Sequence, residues 1–289
     1  MKKIFVILSV AALIAGCAPK QESEPKVMAR FVPERMDDFV FENNLMAGRI
    51  YGKALEGNPT SPGIDIWVKT PGALVADERY AGYVNDGDAY YHHDHGNGKD
   101  CYKVSVSLGG GASAAMIDGK IQYPATNFRS YEVLEQSDDK VVFVLHYPEW
   151  EAEGARIALD KKITVTPDTY LLKCEDTYTF SGRDTLDVVA GVFRHVAQGT
   201  IESELQEPDR YALWEHASDQ SIEVDEETRI GVAVVVPGAT ISGLTEGEDH
   251  GIVGKTVKSG ETFTYYFGSC WSKADVKTAE DWFAIVKEF

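Results

Sequence analysis

The sequence predicts an all-β fold: a large antiparallel β structure of many short strands, closed by one C-terminal helix. Short runs rich in β-branched and aromatic residues recur along the chain and are separated by turn-forming residues. Hydrophobic residues make up 44% of the 289 residues, which is enough apolar material to offset the entropy of ordering the chain. A helical pattern is convincing only near the C-terminus. We therefore expect two stacked sheets, each broad enough to carry a concave face.

The strands are predicted from runs of β-forming residues. These runs are Ile64–Lys69, Tyr102–Leu108, Val141–Tyr147, Lys162–Thr166, Tyr170–Phe180, Val188–Val196, Ile230–Val236 and Thr262–Phe267. Polar and apolar residues alternate most clearly over 161–166, and the turn sequence Pro167-Asp168-Thr169 separates that segment from residues 170–173. This pattern predicts a hairpin with one buried face.

The predicted helix runs from Ser272 to Phe289. Ser272 is expected to cap it, because Asp275 follows three residues later and completes a capping-box pattern. The apolar side of the helix would be formed by Trp282, Phe283, Ile285, Val286 and Phe289.

Residues 1–16 resemble a bacterial lipoprotein signal peptide. Lys2 and Lys3 precede an apolar run that is too short to span a bilayer as a helix. The segment 13–17, Leu-Ile-Ala-Gly-Cys, resembles a lipobox, in which the cysteine is acylated. We expect palmitate-type acylation at Cys17 and anchoring to a lipid membrane, since two acyl chains anchor stably. An ordinary secretory signal is the alternative.

These features predict a protein of the bacterial cell envelope, in the outer membrane or facing the periplasm. Residues 18–26 are mostly polar and contain proline, which predicts a flexible tether over residues 17–27. No linker divides residues 28–289, so we expect a single β-sandwich domain there.

Charge and cysteine content limit the function classes. The formal net charge is −18, which argues against a nucleic acid partner because phosphates would be repelled. An anionic ligand would need a local basic pocket. Besides Cys17 the chain has Cys101, Cys174 and Cys270, an odd number. We expect buried free thiols, with one disulfide as the alternative.

The segment 30–52 combines arginines, carboxylates and asparagines with aromatic residues. Such mixtures suit hydroxyl-rich ligands, for which planar donors and acceptors stand beside aromatic faces. A solvated edge strand with ordinary ion pairs is the alternative. The candidates for substrate binding are Arg35, Arg49, Glu34, Asp38, Glu42 and Asn43. Arg129, farther along the chain, is a further candidate for meeting a carboxylate.

A second polar segment, 90–102, holds three of the seven histidines. On a strand, His93 and His95 would point to one face, a familiar arrangement for two ligands of a divalent metal such as zinc, nickel or iron. Metal-free acid–base chemistry or sugar contacts by either histidine, and a solvated polar turn, are the alternatives. His195 lies in a predicted strand, where a structural role competes with a catalytic one.

Several of these segments together resemble a bacterial family catalogued as domain of unknown function 4861. The matching segments are 30–39 with Glu42-Asn43, Arg49-x-Tyr51-Gly52, 63–69, 91–98, Ser107-Leu108-Gly109-x-Gly111, and 265–273 with Trp282. The resemblance implies a secreted protein or lipoprotein, often encoded near enzymes that degrade polysaccharides, notably pectin-like glycans that contain uronates. It also implies a galactose-mutarotase-like β-supersandwich. Trp271 in the last matching segment joins the substrate-binding candidates.

The leading hypothesis is an enzyme that acts on an oligosaccharide or polysaccharide containing uronates, by β-elimination or a related acid–base step. Elimination requires a cation for the uronate carboxylate, a base for its α-proton and an acid for the leaving oxygen. Arg35, Arg49 or Arg129 would bind the carboxylate. His93 or His95 would be the base. Tyr91 or His195 would be the acid.

Three other hypotheses remain open. A hydrolase would use paired carboxylates, but the adjacent Asp37 and Asp38 would face opposite ways on one strand. An epimerase or mutarotase-like enzyme would use one histidine and one carboxylate, such as His95 with Glu34 or Glu42. A glycan-binding lipoprotein would bind without turnover. The catalytic hypotheses require the arginine-rich segment 30–52 and the loop around Asp94 to meet at one hollow of one sheet.

Overall fold

The computed structural model describes residues 26–57, 62–218 and 224–289. Within these ranges, strands dominate and helices are few, so the prediction of an all-β fold is confirmed. The strands are β1 Val27–Val32, β2 Asp38–Asn43, β3 Ala47–Ile50, β4 Ile64–Lys69, β5 Gly98–Asp100, β6 Gly110–Ile117, β7 Lys120–Gln122, β8 Ser130–Gln136, β9 Val141–Ala152, β10 Ala155–Val165, β11 Leu171–Ser181, β12 Leu186–Phe193, β13 Ile201–Glu207, β14 Arg210–Ser218, β15 Val224–Val235, β16 Ile241–Leu244, β17 His250–Val257 and β18 Thr262–Trp271. The α-helices are α1 Ala76–Asp86, α2 Ala89–His92 and α3 Ala279–Lys287, and short 3-10 helices lie at Lys53–Leu55 and Val196–Gln198.

The described strands form three antiparallel sheets rather than the two expected. The first small sheet has the order β1-β2-β3-β4-β5, and the second small sheet has the order β16-β17-β12-β6-β7. The large sheet has the order β13-β14-β15-β18-β11-β10-β9-β8. The two small sheets touch at a parallel bridge between Ile64 and Gly109. Gly109 has a φ of +58°, and a Cβ there would lie 2.3 Å from the carbonyl oxygen of Ile64, so the junction requires glycine.

The core lies between the inner face of the large sheet and the two small sheets. Phe39 on β2 packs against Phe143 on β9, with ring centroids 4.4 Å apart. Phe41 on β2 packs edge-on against Phe267 on β18, at 5.8 Å. Burial of these rings and of the aliphatic residues around them is the main favourable term for the fold.

The outer faces of the sheets are covered by helices in two places. Helix α1 covers the first small sheet, where Tyr80 packs with Trp67 of β4. Helix α3 covers the part of the large sheet formed by β14 and β15, where Trp282 packs with Trp214. On the remaining part, the outward side chains of β8 to β11 are half-buried or exposed.

The C-terminal helix is shorter than predicted. It begins at Ala279, and the side chain of Thr278 caps it by accepting a hydrogen bond from the backbone N–H of Asp281. Ser272 does not cap a helix, because its hydroxyl oxygen accepts a hydrogen bond from the backbone N–H of Arg229 at 2.7 Å. The expected apolar face is present, with Trp282 and Val286 fully buried.

The secondary structure differs from the sequence prediction in two other respects. Residues 102–108 are not a strand, since the hydroxyl of Ser107 bonds to the backbone of Val104 and Gly109 and thereby replaces ladder hydrogen bonds with a local turn. Helices α1 and α2 were not predicted. The hairpin predicted over 161–173 is present as β10 and β11.

The three cysteines of the described chain are buried and free, as expected. Burial raises the pKa of the Cys101 thiol, which disfavours the thiolate. In the described ranges, none of the helices has the length and apolar character needed to cross a membrane.

Candidate functional site

The arginines of the segment 30–52 lie in a buried charged cluster, not in an open pocket. Strand alternation directs Arg49, Asp38, Asp65 and Asp100 to the outer face of the first small sheet. Nε of Arg49 lies 2.6 Å from Asp65, and its Nη2 lies 2.8 Å from Asp100. Arg35 binds Asp38 at 3.0 Å. We call these five residues the arginine cluster.

The aromatic rings of Tyr91 and Trp67 cover the arginine cluster. The guanidinium of Arg49 lies 4.8 Å from the ring centroid of Tyr91 and 5.1 Å from that of Trp67, which are cation–π distances. The hydroxyl of Tyr91 accepts a hydrogen bond from Arg35 and donates one to Asp88 at 3.0 Å. Arg49 is fully buried, so its charge is used by its own carboxylates and is not accessible to a uronate.

In this cluster three carboxylates face only two arginines. This excess of carboxylates, together with burial, changes the acidity of Asp100. Burial and the neighbouring charge of Asp65 raise the pKa of Asp100 to about 6, against the opposing effect of Arg49. Burial also raises the pKa of Asp38 and that of Tyr91. Tyr91, a candidate acid, is therefore a neutral and enclosed hydrogen-bonding group.

The other polar candidates of this segment support the backbone. Glu42 binds Lys69 at 2.6 Å, and its carboxylate accepts hydrogen bonds from the backbone N–H groups of Val75 and Ala76. It therefore anchors the N-terminus of α1, whose positive dipole end favours an anion. The side-chain amide of Asn43 donates to two carbonyls of the 166–169 turn. Glu34 forms a surface ion pair with Arg30 at 2.7 Å.

The histidine segment is not a strand, so His93 and His95 do not share a strand face. His92 ends α2, and the next residues form a loop in which the Asp94 carboxylate accepts the backbone N–H groups of Gly96 and Gly98. His93 and His95 are exposed. The ring of His95 stacks on Tyr90 at 4.1 Å. The described residues contain no group of three His, Cys, Asp or Glu side chains that could hold a metal ion.

The remaining candidates lie elsewhere. His195 is buried, with Nδ1 at 2.8 Å from Glu215 and Nε2 at 2.8 Å from the carbonyl oxygen of Lys103. Burial would lower its pKa, but the charge and hydrogen bond of Glu215 raise it, which favours the imidazolium form beside this carboxylate. Arg129 pairs with Glu56. Trp271 is buried. The structure therefore joins Tyr91 to the arginines, but it does not bring His93, His95, His195, Arg129 or Trp271 to them.

A different site lies on the outer face of the large sheet. It is a groove of about 440 Å³, and we call it the outer groove. Its lining comprises Leu134, Glu135, Lys140, Val142, Lys162, Thr164, Lys173 and Glu175. Three lysines against two glutamates give it a formal charge of +1, whereas the whole chain carries −18. Its volume falls in the range of about 300 to 1,000 Å³ that small-ligand sites occupy.

The register of the large sheet builds the charged part of the outer groove. Lys162 on β10 pairs with Glu175 on β11, and Thr164 pairs with Lys173. Glu175 lies 2.8 Å from Lys162 and 3.0 Å from Lys173. Burial would raise the pKa of Glu175, but the hydrogen bonds and charges of the two lysines outweigh it and lower that pKa. Glu175 therefore stays ionised and fixes both ammonium groups on one face.

A histidine–aspartate pair stands beside the outer groove on the same face. His146 on β9 faces Asp160 on β10, and Nδ1 of His146 lies 2.7 Å from Oδ1 of Asp160. The side chains of His146 and Asp160 are 34% and 59% exposed, so a ligand can reach them. Lys162 is two residues from Asp160 on the same strand, about 7 Å along the sheet. Lys162 therefore lies between the Glu175–Lys173 pair on its β11 side and the His146–Asp160 pair toward its β9 side.

This site was missed at the level of sequence, although one signal was present. The alternation over 161–166 already places Lys162 and Thr164 on the face opposite the core. His146, in the predicted strand Val141–Tyr147, is likewise a polar residue between apolar neighbours, so the alternation places it on the face opposite the core. The sequence pattern does not show how neighbouring strands pair, and it is this pairing that places His146 opposite Asp160.

Comparison with known proteins places the chain in a family. The family model described as "Domain of unknown function (DUF4861)" matches residues 16–289. The chain belongs to this family. An uncharacterized protein P7 of Formosa agariphila is 31% identical over 276 residues, which cover 90% of this chain and 66% of that protein. The chain thus spans slightly less than two thirds of the length of this relative.

Solved structures also show similarity to this member of the DUF4861 family. A protein described as a kojibiose phosphorylase from the human microbiome gives a TM-score of 0.44 at 10% identity, covering 91% of this chain and 36% of that chain. A galactose mutarotase related enzyme from Lactobacillus acidophilus gives 0.27 at 10% identity, covering 81% and 97%. TM-scores and identities this low say nothing about the substrate or activity of this chain.

Proposed function

We propose that this DUF4861 protein is a carbohydrate-active lipoprotein that acts on uronate-containing saccharides at the outer groove. The observation that supports the proposal is the positive charge of the outer groove beside the accessible pair His146–Asp160. A strongly acidic protein repels anionic glycans at long range, so a carboxylate ligand needs such a local excess of cations.

The residues of the site suit a β-elimination. Lys162 and Lys173 neutralise the uronate carboxylate, which makes the α-proton more acidic. Nδ1 of His146 donates to Asp160, which leaves Nε2 as the base. The base takes the α-proton, the electron pair of that C–H bond forms the new C=C bond, and the C–O bond to the leaving sugar breaks. The imidazolium then returns its proton to the leaving oxygen.

The N-terminal part of the proposal concerns residues that lie outside the described ranges up to residue 25. The lipobox-like segment 13–17 supports acylation of Cys17, and the mostly polar residues 18–26 support a tether to the membrane. The expected tether 17–27 is one residue too long, because Val27 is buried as the first residue of β1. We place the protein in the bacterial cell envelope, with residues 28–289 as one domain that meets saccharides outside the cytoplasm.

An activity screen tests the proposal. Purified protein is mixed with saturated and unsaturated uronic oligosaccharides, with and without a chelator, and products are followed by ultraviolet absorbance and mass. We expect a product with a new conjugated double bond that His146→Gln abolishes and that His93→Gln, an exposed histidine outside the groove, retains. Anomer exchange in proton NMR without bond cleavage would favour the epimerase or mutarotase hypothesis. Saturable binding without any product would favour a glycan-binding protein.

A further inference from the structure

A second cavity lies on the second small sheet, between residues of the β6–β7 hairpin and residues of the β16–β17 hairpin, which form the two edges of that sheet. It measures about 260 Å³ and is bounded by Lys120, Ile121 and Tyr123 beside the β6–β7 turn, and by Thr245, Glu246 and His250 beside the β16–β17 turn. We call it the hairpin cavity. It shares no lining residue with the outer groove.

His250 forms the floor of the hairpin cavity, and its hydrogen bonds fix which ring nitrogen carries the proton. The backbone N–H of Leu108 donates to Nε2 of His250 at 3.1 Å. Because an N–H group only donates, Nε2 carries no proton, and Nδ1 donates to the Asp249 carboxylate at 3.0 Å. Thr245 donates to the same oxygen of Asp249 at 2.6 Å. His250 is 2% exposed and therefore acts as a neutral support.

The walls of the hairpin cavity carry polar groups that are free for a ligand. Among the described residues, neither the ammonium group of Lys120 nor the carboxylate of Glu246 has a hydrogen-bond or ion-pair partner. The hydroxyl of Tyr123 lies 3.5 Å from Nε2 of His250, whose lone pair Leu108 already uses. The cavity thus offers the donors Lys120 and Tyr123 and the carboxylates of Glu246 and Asp249 around the apolar side chain of Ile121.

These groups specify the chemistry of the ligand. A phosphate would meet the carboxylates of Glu246 and Asp249, and an apolar ligand would form no hydrogen bonds with Lys120, Glu246 or Tyr123. Hydroxyl groups both donate and accept hydrogen bonds. Several hydroxyls on one ring can therefore bond to Lys120, Tyr123 and Glu246 together, while the C–H face of the ring packs on Ile121. We infer that the hairpin cavity binds a single hydroxyl-rich ring, such as one monosaccharide unit of a glycan.

Calorimetric titration with methyl glycosides of neutral hexoses, supported by saturation-transfer NMR, tests this inference. We expect saturable, weak binding that Glu246→Gln and Tyr123→Phe each weaken by about two- to tenfold, the effect of one lost hydrogen bond. Both residues are at the surface or half-buried, and near-ultraviolet circular dichroism checks that each variant is folded. Lys173→Ala, in the outer groove, is the matched control and should leave this binding unchanged.

Three results would overturn the inference. They are an absence of saturable binding by every methyl glycoside, tighter binding of glycine or inorganic phosphate than of any glycoside, and glycoside binding that Lys173→Ala removes. Because the probes are uncharged, failure here would leave the proposal for uronates at the outer groove untouched.

Discussion

His146 and Asp160 face each other across β9 and β10, with Nδ1 of the histidine 2.7 Å from Oδ1 of the aspartate, on the exposed side of the large sheet. A carboxylate that accepts the Nδ1 proton orients an imidazole and leaves Nε2 as a base. The pair His195–Glu215 has similar geometry, but it is buried and its second nitrogen is already bonded. Exposure therefore distinguishes the pair that can meet a substrate.

The first prediction concerns this pair. His146→Gln should lower kcat on a uronic oligosaccharide by about 10² to 10⁴, the usual contribution of a general base. Asp160→Asn should lower kcat less, because the imidazole remains but is no longer oriented. The initial rate of absorbance increase measures both effects. Retention of full activity by His146→Gln would place the chemistry elsewhere.

The second prediction concerns the lysines of the outer groove. Lys173→Ala should raise KM for a uronic oligosaccharide more than it lowers kcat, because one of the two cations that meet the carboxylate is lost. The KM of the unaltered protein should also rise with salt, which screens exposed charges. Lys258→Ala removes an equally positive residue at an exposed turn and is the control. An equal effect of both variants would show that only net charge matters.

The sequence predicts elements better than it predicts sites, for a physical reason. Ile64–Lys69 was predicted with its observed bounds, since an apolar run bounded by turn residues is a local signal. Helix α1 was missed because its stability depends on Glu42, which binds its N-terminus from β2, thirty-four residues away from Ala76. Helix α1 buries only one narrow side, so its local pattern is weak.

The role of Arg49 could not be predicted for a similar reason. The mixture of charged and aromatic residues around it in the segment 30–52 suggested a ligand site, and Arg49 does bind carboxylates. Those carboxylates are Asp65 and Asp100, which reach it only through the pairing of β3 with β4 and of β4 with β5. Sequence identifies groups that need partners, whereas the register decides whether the partner is a ligand or the protein itself.

The third prediction concerns the lipid anchor. Cys17→Ala should abolish incorporation of labelled palmitate and release the protein from the membrane fraction, because the acylated cysteine is the proposed attachment point. Cys101→Ala leaves Cys17 intact and is the control. Membrane retention of the Cys17→Ala variant would contradict the proposal and indicate another mode of attachment.

The fourth prediction concerns the arginine cluster and stability. Arg49→Met should destabilise the fold by about 3 to 5 kcal/mol, because it leaves buried carboxylates without their cation. Arg156→Ala breaks an exposed pair with Glu149 and should cost at most about 1 kcal/mol. Urea unfolding followed by circular dichroism compares the two. Equal stability of both variants would show that the buried carboxylates of the cluster do not need the charge of Arg49.

The last prediction concerns the pH dependence of the same cluster. The folded-state pKa of Asp100 is about 6, above the ordinary aspartate value of 3.8, so the folded protein holds this proton more tightly than the unfolded chain. The resulting stabilisation is complete below about pH 4 and is lost as the pH rises through about 6. Asp100→Asn cannot titrate, so its free energy of unfolding should fall less steeply across that window. Asp38, whose pKa is also raised, should leave a residual slope.

Urea unfolding at several pH values between about 4 and about 7 measures these slopes. Asp184→Asn, at an exposed position, should keep the slope of the unaltered protein. If Asp100→Asn keeps that slope as well, Asp100 is ionised throughout the window. The two arginines would then balance all three carboxylates of the cluster despite their burial.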